Sequence, residues 1–120
     1  MKIRFPYFWL LTAPYLAVAL GSAMNILAVT ANHGYMPVAS SPIIIRALDG
    51  VIPYPGIIID EVHRQMQSTD HLKFLCDWIQ IPRLAVASIG DVFLFLGEWL
   101  SQWTFITWLA LIWRDAQDKN

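Results

Sequence analysis

The sequence has one cysteine, Cys76, and this single thiol excludes an intramolecular disulfide and any Cys-based zinc cluster built from this chain alone. Charge is also scarce: 14% of the residues are charged, against about 25% in an ordinary soluble domain. Eight basic and nine acidic residues nearly cancel, to a formal net charge of −1, which leaves no basic stripe to neutralise nucleic-acid phosphates. There is no Gly-rich phosphate loop, no CxxCH haem attachment and no spacing that suggests a Ser-His-Asp arrangement. So little chain lies outside the apolar runs that an enclosed active site has few places to form, and the protein is not expected to be an enzyme.

What the chain does have is apolar side chain, 57% of its 120 residues. A soluble fold of this length has too little interior to hide that much, so lipid is the expected solvent. The expected fold is an all-α membrane protein, a single membrane domain over residues 1–120 in which two transmembrane helices are joined by a long loop with short interfacial helices.

Lys2 and Arg4 precede an uncharged run, Phe8 to Thr30, long enough to cross about 30 Å of hydrocarbon as the first membrane helix. A secretory signal peptide begins in the same way, and Gly21 to Ala23 would suit cleavage; the reading adopted is a retained helix. Pro14 should kink the helix or free a carbonyl. Ala13, Ala17, Gly21 and Asn25 follow at four-residue spacing, a candidate helix-packing face of small residues ending in an amide; the plainer alternative is that alanine and glycine are common in membrane helices.

Residues 31–81 read as an extramembrane loop. Ser41 followed by Pro42 is a good helix start and Gly50 a good stop, with Ile43, Ile44, Ala47 and Leu48 on the apolar face. After Pro53 and Pro55, Gly56 to Ile59 is an extended piece on the membrane side of the loop. Ser68 or Thr69 caps a second short helix, with Asp70 in its first turn, Leu72, Leu75, Cys76 and Ile79 on one face, and Trp78 holding it flat at the headgroups. Leu84 to Trp113 is the second membrane helix, about 45 Å long, followed by a polar tail over residues 114–120. Trp99, Trp103, Trp108 and Trp113 crowd its second half, and with Trp78 they form a set of interface aromatics. Lys2, Arg4, Arg114 and Lys119 place both termini on the cytoplasmic side of a bacterial inner membrane, although Arg46, Lys73 and Arg83 in the loop argue the other way.

Carboxylates inside a membrane helix are costly and usually face protein or water, which singles out Asp91 and Glu98. Seven residues apart, they share a stripe with Ser88 and Gln102, and with Ser101 nearby. The stripe reads as a polar seam against another subunit or, alternatively, as a proton or ion path. His33, His63 and His71 all fall outside the expected spans and lack helical i, i+4 spacing, so they read as surface or interfacial side chains, with His63 in a solvated patch beside Asp60, Glu61 and Arg64. Cys76 reads as a small packed residue. No metal or cofactor is expected on the chain's own side chains, only peripheral contact with pigment or lipid.

Asn25 with Ala-Asn-His-Gly-Tyr-Met-Pro-Val at Ala31 to Val38, and Leu72, Phe74, Leu75 and Asp77 leading to Ser-Ile-Gly-Asp-Val at Ser88 to Val92, resemble a family of uncharacterised small bacterial membrane proteins, a domain of unknown function. The resemblance implies that roughly Gly21 to Gly97 corresponds to the C-terminal half of the family pattern. His33 and Cys76 stand where glycines are expected, and the family's additional N-terminal helices do not precede the match. Asn32, Gly34 and Pro37 suit the turn where the first helix leaves the membrane, and Asp91 is expected to hydrogen-bond the free amides of residues 32–36. A helix pair with open polar and aromatic faces implies other integral membrane subunits as partners. The expected function is a non-catalytic accessory subunit of an energy-transducing complex, a photosynthetic reaction centre with its antenna first and a respiratory electron-transport complex second. The rival is a small proton- or ion-conducting component working through Asp91 and Glu98.

Overall fold

Two long helices and a small cap of strands make up the chain, whose computed structural model describes residues 5–50 and 54–119. Lys2, Arg4 and Pro53, on which part of the orientation and loop readings rested, lie outside the described residues, as does the last residue of the tail. Helix α1 spans Phe5–Ala31 and keeps Pro14 inside it. It stops where His33 and Gly34 turn into left-handed backbone, φ 58° and 90°, and the Gly34 N–H donates to the Val29 carbonyl at 2.9 Å, the six-to-one bond of a Schellman-type close.

The chain returns as α3, Ile89–Gln117, about 44 Å long and antiparallel to α1. Its start is fixed by a capping box: the Asp91 N–H donates to Ser88 Oγ, and the Ser88 N–H donates to Asp91 Oδ2, each at 3.0 Å. That box explains why the expected run from Leu84 is not all helix. Its first residues pair as a strand instead.

The two helices meet through glycine. A Cβ on Gly21 would sit 2.5 Å from the Gly90 carbonyl oxygen, and one on Gly97 would sit 2.5 Å from Val18 Cγ2 and 2.8 Å from the Pro14 carbonyl oxygen. The backbones are in direct contact, as small residues permit. The packing stripe is therefore Pro14, Val18, Gly21, Asn25 and Ala28, and it corrects the expected stripe: Ala13 is exposed and Ala17 only half-buried, while Gly21 and Asn25 do face α3. At about 100° per residue, Ala13 lies about 80° around the helix from Gly21, whereas Pro14, seven residues away, lies only about 20° off.

The connection between the helices is not purely helical. Helix α2, Pro42–Ala47, begins as expected, with the Ile44 N–H donating to Ser41 Oγ at 3.3 Å, and closes at Gly50, φ 85°. Strands β1 (Met36–Val38) and β2 (His63–Gln65) pair in parallel, the α2 segment supplying the crossover that parallel pairing needs. Strands β3 (Ile79–Ile81) and β4 (Ala85–Ala87) form an antiparallel hairpin that leads into α3. An isolated bridge joins Ile58 to Arg64, so the expected extended piece lies against β2 around Ile58 while Gly56 sits in a turn at φ 86°, and a parallel bridge joins Val38 to Asp77 on the other side of β1.

The short helix expected after Thr69 is reduced to one 3-10 turn, Lys73–Leu75, preceded by Leu72 in left-handed backbone. The His71 carbonyl, which an α-helix would offer to Leu75, accepts instead from Asn32 Nδ2 at 2.9 Å, and the Leu75 N–H turns to Leu72 O. Asp70 serves Arg64 and the Gln67 N–H rather than a helix start. Ala28, Met36, Leu75 and Cys76 form the core, with Met24, Val29, Met66 and Leu72 packed on it.

Among the described helices one, over Leu11–Ala31, is long and apolar enough to cross a membrane by length and composition. Helix α3 does not reach that standard, interrupted as it is by Asp91, Glu98, Ser101 and Gln102. Two transmembrane helices were expected; composition singles out the first.

Candidate functional site

The polar side chains gather where the cap sits on one end of the helix pair. Asn25 on α1 donates from Nδ2 to Asp91 Oδ1 at 2.8 Å and accepts from Ser88 Oγ at 2.8 Å. Asp91 thus has one oxygen on α1 and the other on the Ser88 amide, and the fully buried Ser88 joins both. Gly90 makes room: a Cβ there would collide with Asn25 Oδ1 and come within 2.8 Å of the Gly21 carbonyl. Asp91 does not reach the turn at residues 32–36 as expected. The amides of Asn32, Gly34, Tyr35 and Met36 donate to the Val29, Asn32 and Val62 carbonyls instead, and the two Asp91 oxygens are engaged by Asn25 and the Ser88 amide.

About two helical turns beyond Asn25, just past the end of α1, the buried Asn32 closes the cap. It donates to Ala28 O at 2.7 Å and His71 O at 2.9 Å, and accepts from the His71 N–H at 2.9 Å. Cys76, fully buried beside it, donates from Sγ toward Leu72 O at 3.4 Å, and burial, with the Asp70 and Asp77 charges, pushes its thiol up to about 11. A thiol so protonated is packing, not a nucleophile.

The third group was not foreseen. Asp77 is 5% exposed and lies where the two strand pairs meet: its N–H donates to Pro37 O at 3.0 Å, its carbonyl accepts from Ala39 N at 2.8 Å, and the next amide, of Trp78, donates to Ala87 O. His63 Nε2 stands 3.6 Å from Asp77 Oδ2, and His63 Nδ1 is 2.9 Å from both oxygens of the exposed Asp60. Asp60 also accepts from the Val62 and His63 amides, an Asx turn that, with the imidazole, lowers its carboxyl pKa. Burial, with the Asp91 charge behind it and a smaller push from Asp60, raises Asp77 to about 7 against the pull of His63. Asp77 Oδ1 and Gln65 Oε1 are buried without a hydrogen-bond partner among the described residues. His63 is therefore half-buried between two carboxylates rather than part of an open solvated patch. The sequence did carry a sign of Asp77, a carboxylate inside the apolar run Phe74 to Ile81, the same oddity that singled out Asp91.

The expected seam divides. Ser88 is buried and Asp91 half-buried against α1, but Glu98 and Gln102, further along the same stripe, are exposed, and Ser101 donates to the Glu98 carbonyl. The tryptophans are exposed: Trp99 and Trp103 stand edge to face with ring centres 5.9 Å apart, Trp108 stacks on Phe105, and Trp113 and Trp78 project outward, Trp78 Nε1 donating to Phe74 O. His33 and His71 are exposed as expected. Of the loop-turn trio, Asn32 and Pro37 are buried and Gly34 takes the positive φ that a side chain resists. Among the described residues no group of three or more His, Cys, Asp or Glu is placed to hold a metal ion.

Neither a curated protein nor a solved structure matches this sequence. A family of unknown function does, over residues 4–103, which takes in Asn25, Asn32, Asp77, Ser88 and Asp91 and extends well beyond the stretch of resemblance, into both long helices. The chain that ties its helix pair together with these side chains belongs to the family of unknown function DUF5317.

Proposed function

We propose that the protein is a non-catalytic subunit of a larger bacterial membrane complex, with α1 and α3 crossing the inner membrane as a pair and the strand cap resting at one membrane face. The observation that carries this reading is the contrast between the two sides of the pair. Inside, glycine brings the backbones together; outside, Tyr15, Leu16, Leu20, Ile26 and Leu27 on α1, and Phe95, Trp99, Trp103, Phe105 and Trp113 on α3, are all exposed. An apolar surface that continuous belongs in lipid or against other apolar helices. Antiparallel helices also put the Phe5 end of α1 and the Gln117 end of α3 on the side opposite the cap, in keeping with one assignment, cytoplasmic, for both.

The conducting alternative through Asp91 and Glu98 is the weaker one: both Asp91 oxygens are engaged by Asn25 and the Ser88 amide, and Glu98 is exposed about two helical turns away. The test is to purify the protein from native membranes in mild detergent and identify what accompanies it. Large integral membrane subunits in fixed ratio are expected, with pigment if the host is photosynthetic and haem if it is respiratory. A protein that runs alone or as a homo-oligomer overturns the reading.

A further inference from the structure

We propose that the cap holds a proton-binding site, in which Asp77 takes up one proton between β1 and the β3–β4 hairpin and the His63–Asp60 pair connects it to the surface. The cap is short of donors at this point. Asp77 Oδ1 and Gln65 Oε1 are both acceptors, both buried, and both without a donor among the described residues, and they flank the same residue: Gln65 pairs with Val38 from β2, and Asp77 bridges Val38 from the other side. Burying an unpaired acceptor is costly, and more so when it is charged. A proton on Asp77 converts one of the two acceptors into a donor and removes the buried charge.

The surroundings agree in sign. From β2 and the preceding turn, Asp77 faces His63 and, beyond it, Asp60; from α3 it faces Asp91; α1 brings only the uncharged Asn25 to that carboxylate. Arg64 and Lys73 act on neighbouring Cys76 but are committed elsewhere, Arg64 to Asp70 at 2.6 Å and Lys73 to Ser68 O at 2.9 Å. Two carboxylates against one imidazole leave Asp77 short of positive charge, in keeping with a carboxyl raised to about 7. His63 is the route, since one nitrogen lies beside exposed Asp60 and the other beside Asp77, and imidazole can pass a proton between its two nitrogens. The backbone of Asp77 joins the two strand pairs and so the cap to the start of α3, which places the protonation state at the joint between cap and helices. This inference does not depend on which complex, if any, the protein enters.

Infrared difference spectra of the full chain in detergent, stepped from pH 3 to pH 9, test it directly. A protonated-carboxyl band that titrates with a midpoint near 7 and is absent in Asp77→Asn is expected. A band that titrates in the ordinary aspartate range, near 3.9, or one that persists in Asp77→Asn, overturns the proposal. His63→Gln keeps the test decisive if Asp77→Asn does not fold: it should move the midpoint upward, because His63 holds it down, and an unchanged midpoint removes His63 from the site.

Discussion

The helix pair and the cap are held together by opposite means. Between α1 and α3 the contact works because side chains are missing: Gly21, Gly90 and Gly97 let backbone touch backbone, and Asn25, Ser88 and Asp91 close one end. In the cap the contact works because polar side chains are present: Asn32 ties α1 to the 71–76 turn, and Asp70 holds Arg64 and the Gln67 amide. A pair of helices can be stabilised by close approach alone, whereas three-residue strands need their backbone groups met one by one.

The largest effect should come from filling the helix crossing. Gly21→Leu pushes a side chain into the Gly90 carbonyl and the Leu94 backbone, and should cost about 3 kcal/mol, read as lowered unfolding temperature in detergent with α1 and α3 losing contact together. If stability barely changes, the close crossing is not what holds the pair. Next, Asn32→Ala leaves the His71 N–H and carbonyl unpaired and should cost about 2–3 kcal/mol, with hydrogen exchange rising in residues 71–76 while α3 stays protected. Equal loss of protection along both helices would show that cap and pair are one unit.

The pH dependence sharpens the comparison further. Asp77 is raised from 3.8 to about 7 in the folded protein, so folding binds a proton in that window. The Asp77 contribution is fully present below pH 4 and is lost as pH rises through 7. Denaturant titrations should therefore show the cap gaining stability from pH 8 to pH 5, and Asp77→Asn should flatten that gain.

Smaller effects follow at the rim. His33 holds left-handed backbone that favours glycine, and His33→Gly should stabilise the α1 stop by about 0.5–1 kcal/mol in thermal unfolding. Glu98→Gln, on an exposed face with no part in the Asn25 cluster, should change stability by less than about 0.5 kcal/mol, whereas Asp91→Asn should not be so mild. A large loss on Glu98→Gln, in stability or in proton flux across vesicles, would revive the conducting reading.

What the sequence determined by itself was set by local chemistry. Both long helices, the Ser41–Pro42 start, the Gly50 stop, the turn at Asn32 to Pro37 and the packed character of Cys76 were all readable, because length of apolar run, capping hydroxyls and permissive φ values act within a few residues. The tertiary structure decided the rest. The true packing stripe depends on a second helix against which a seven-residue repeat stays in register, and β1 and β2 each depend on a partner far along the chain. The 3-10 turn depends on Asn32 reaching across to His71, and a segment's own propensity does not encode that bond. Asp77 stands furthest from what sequence can tell: its charge is governed by burial and by His63 and Asp91, and only folding brings these three groups together.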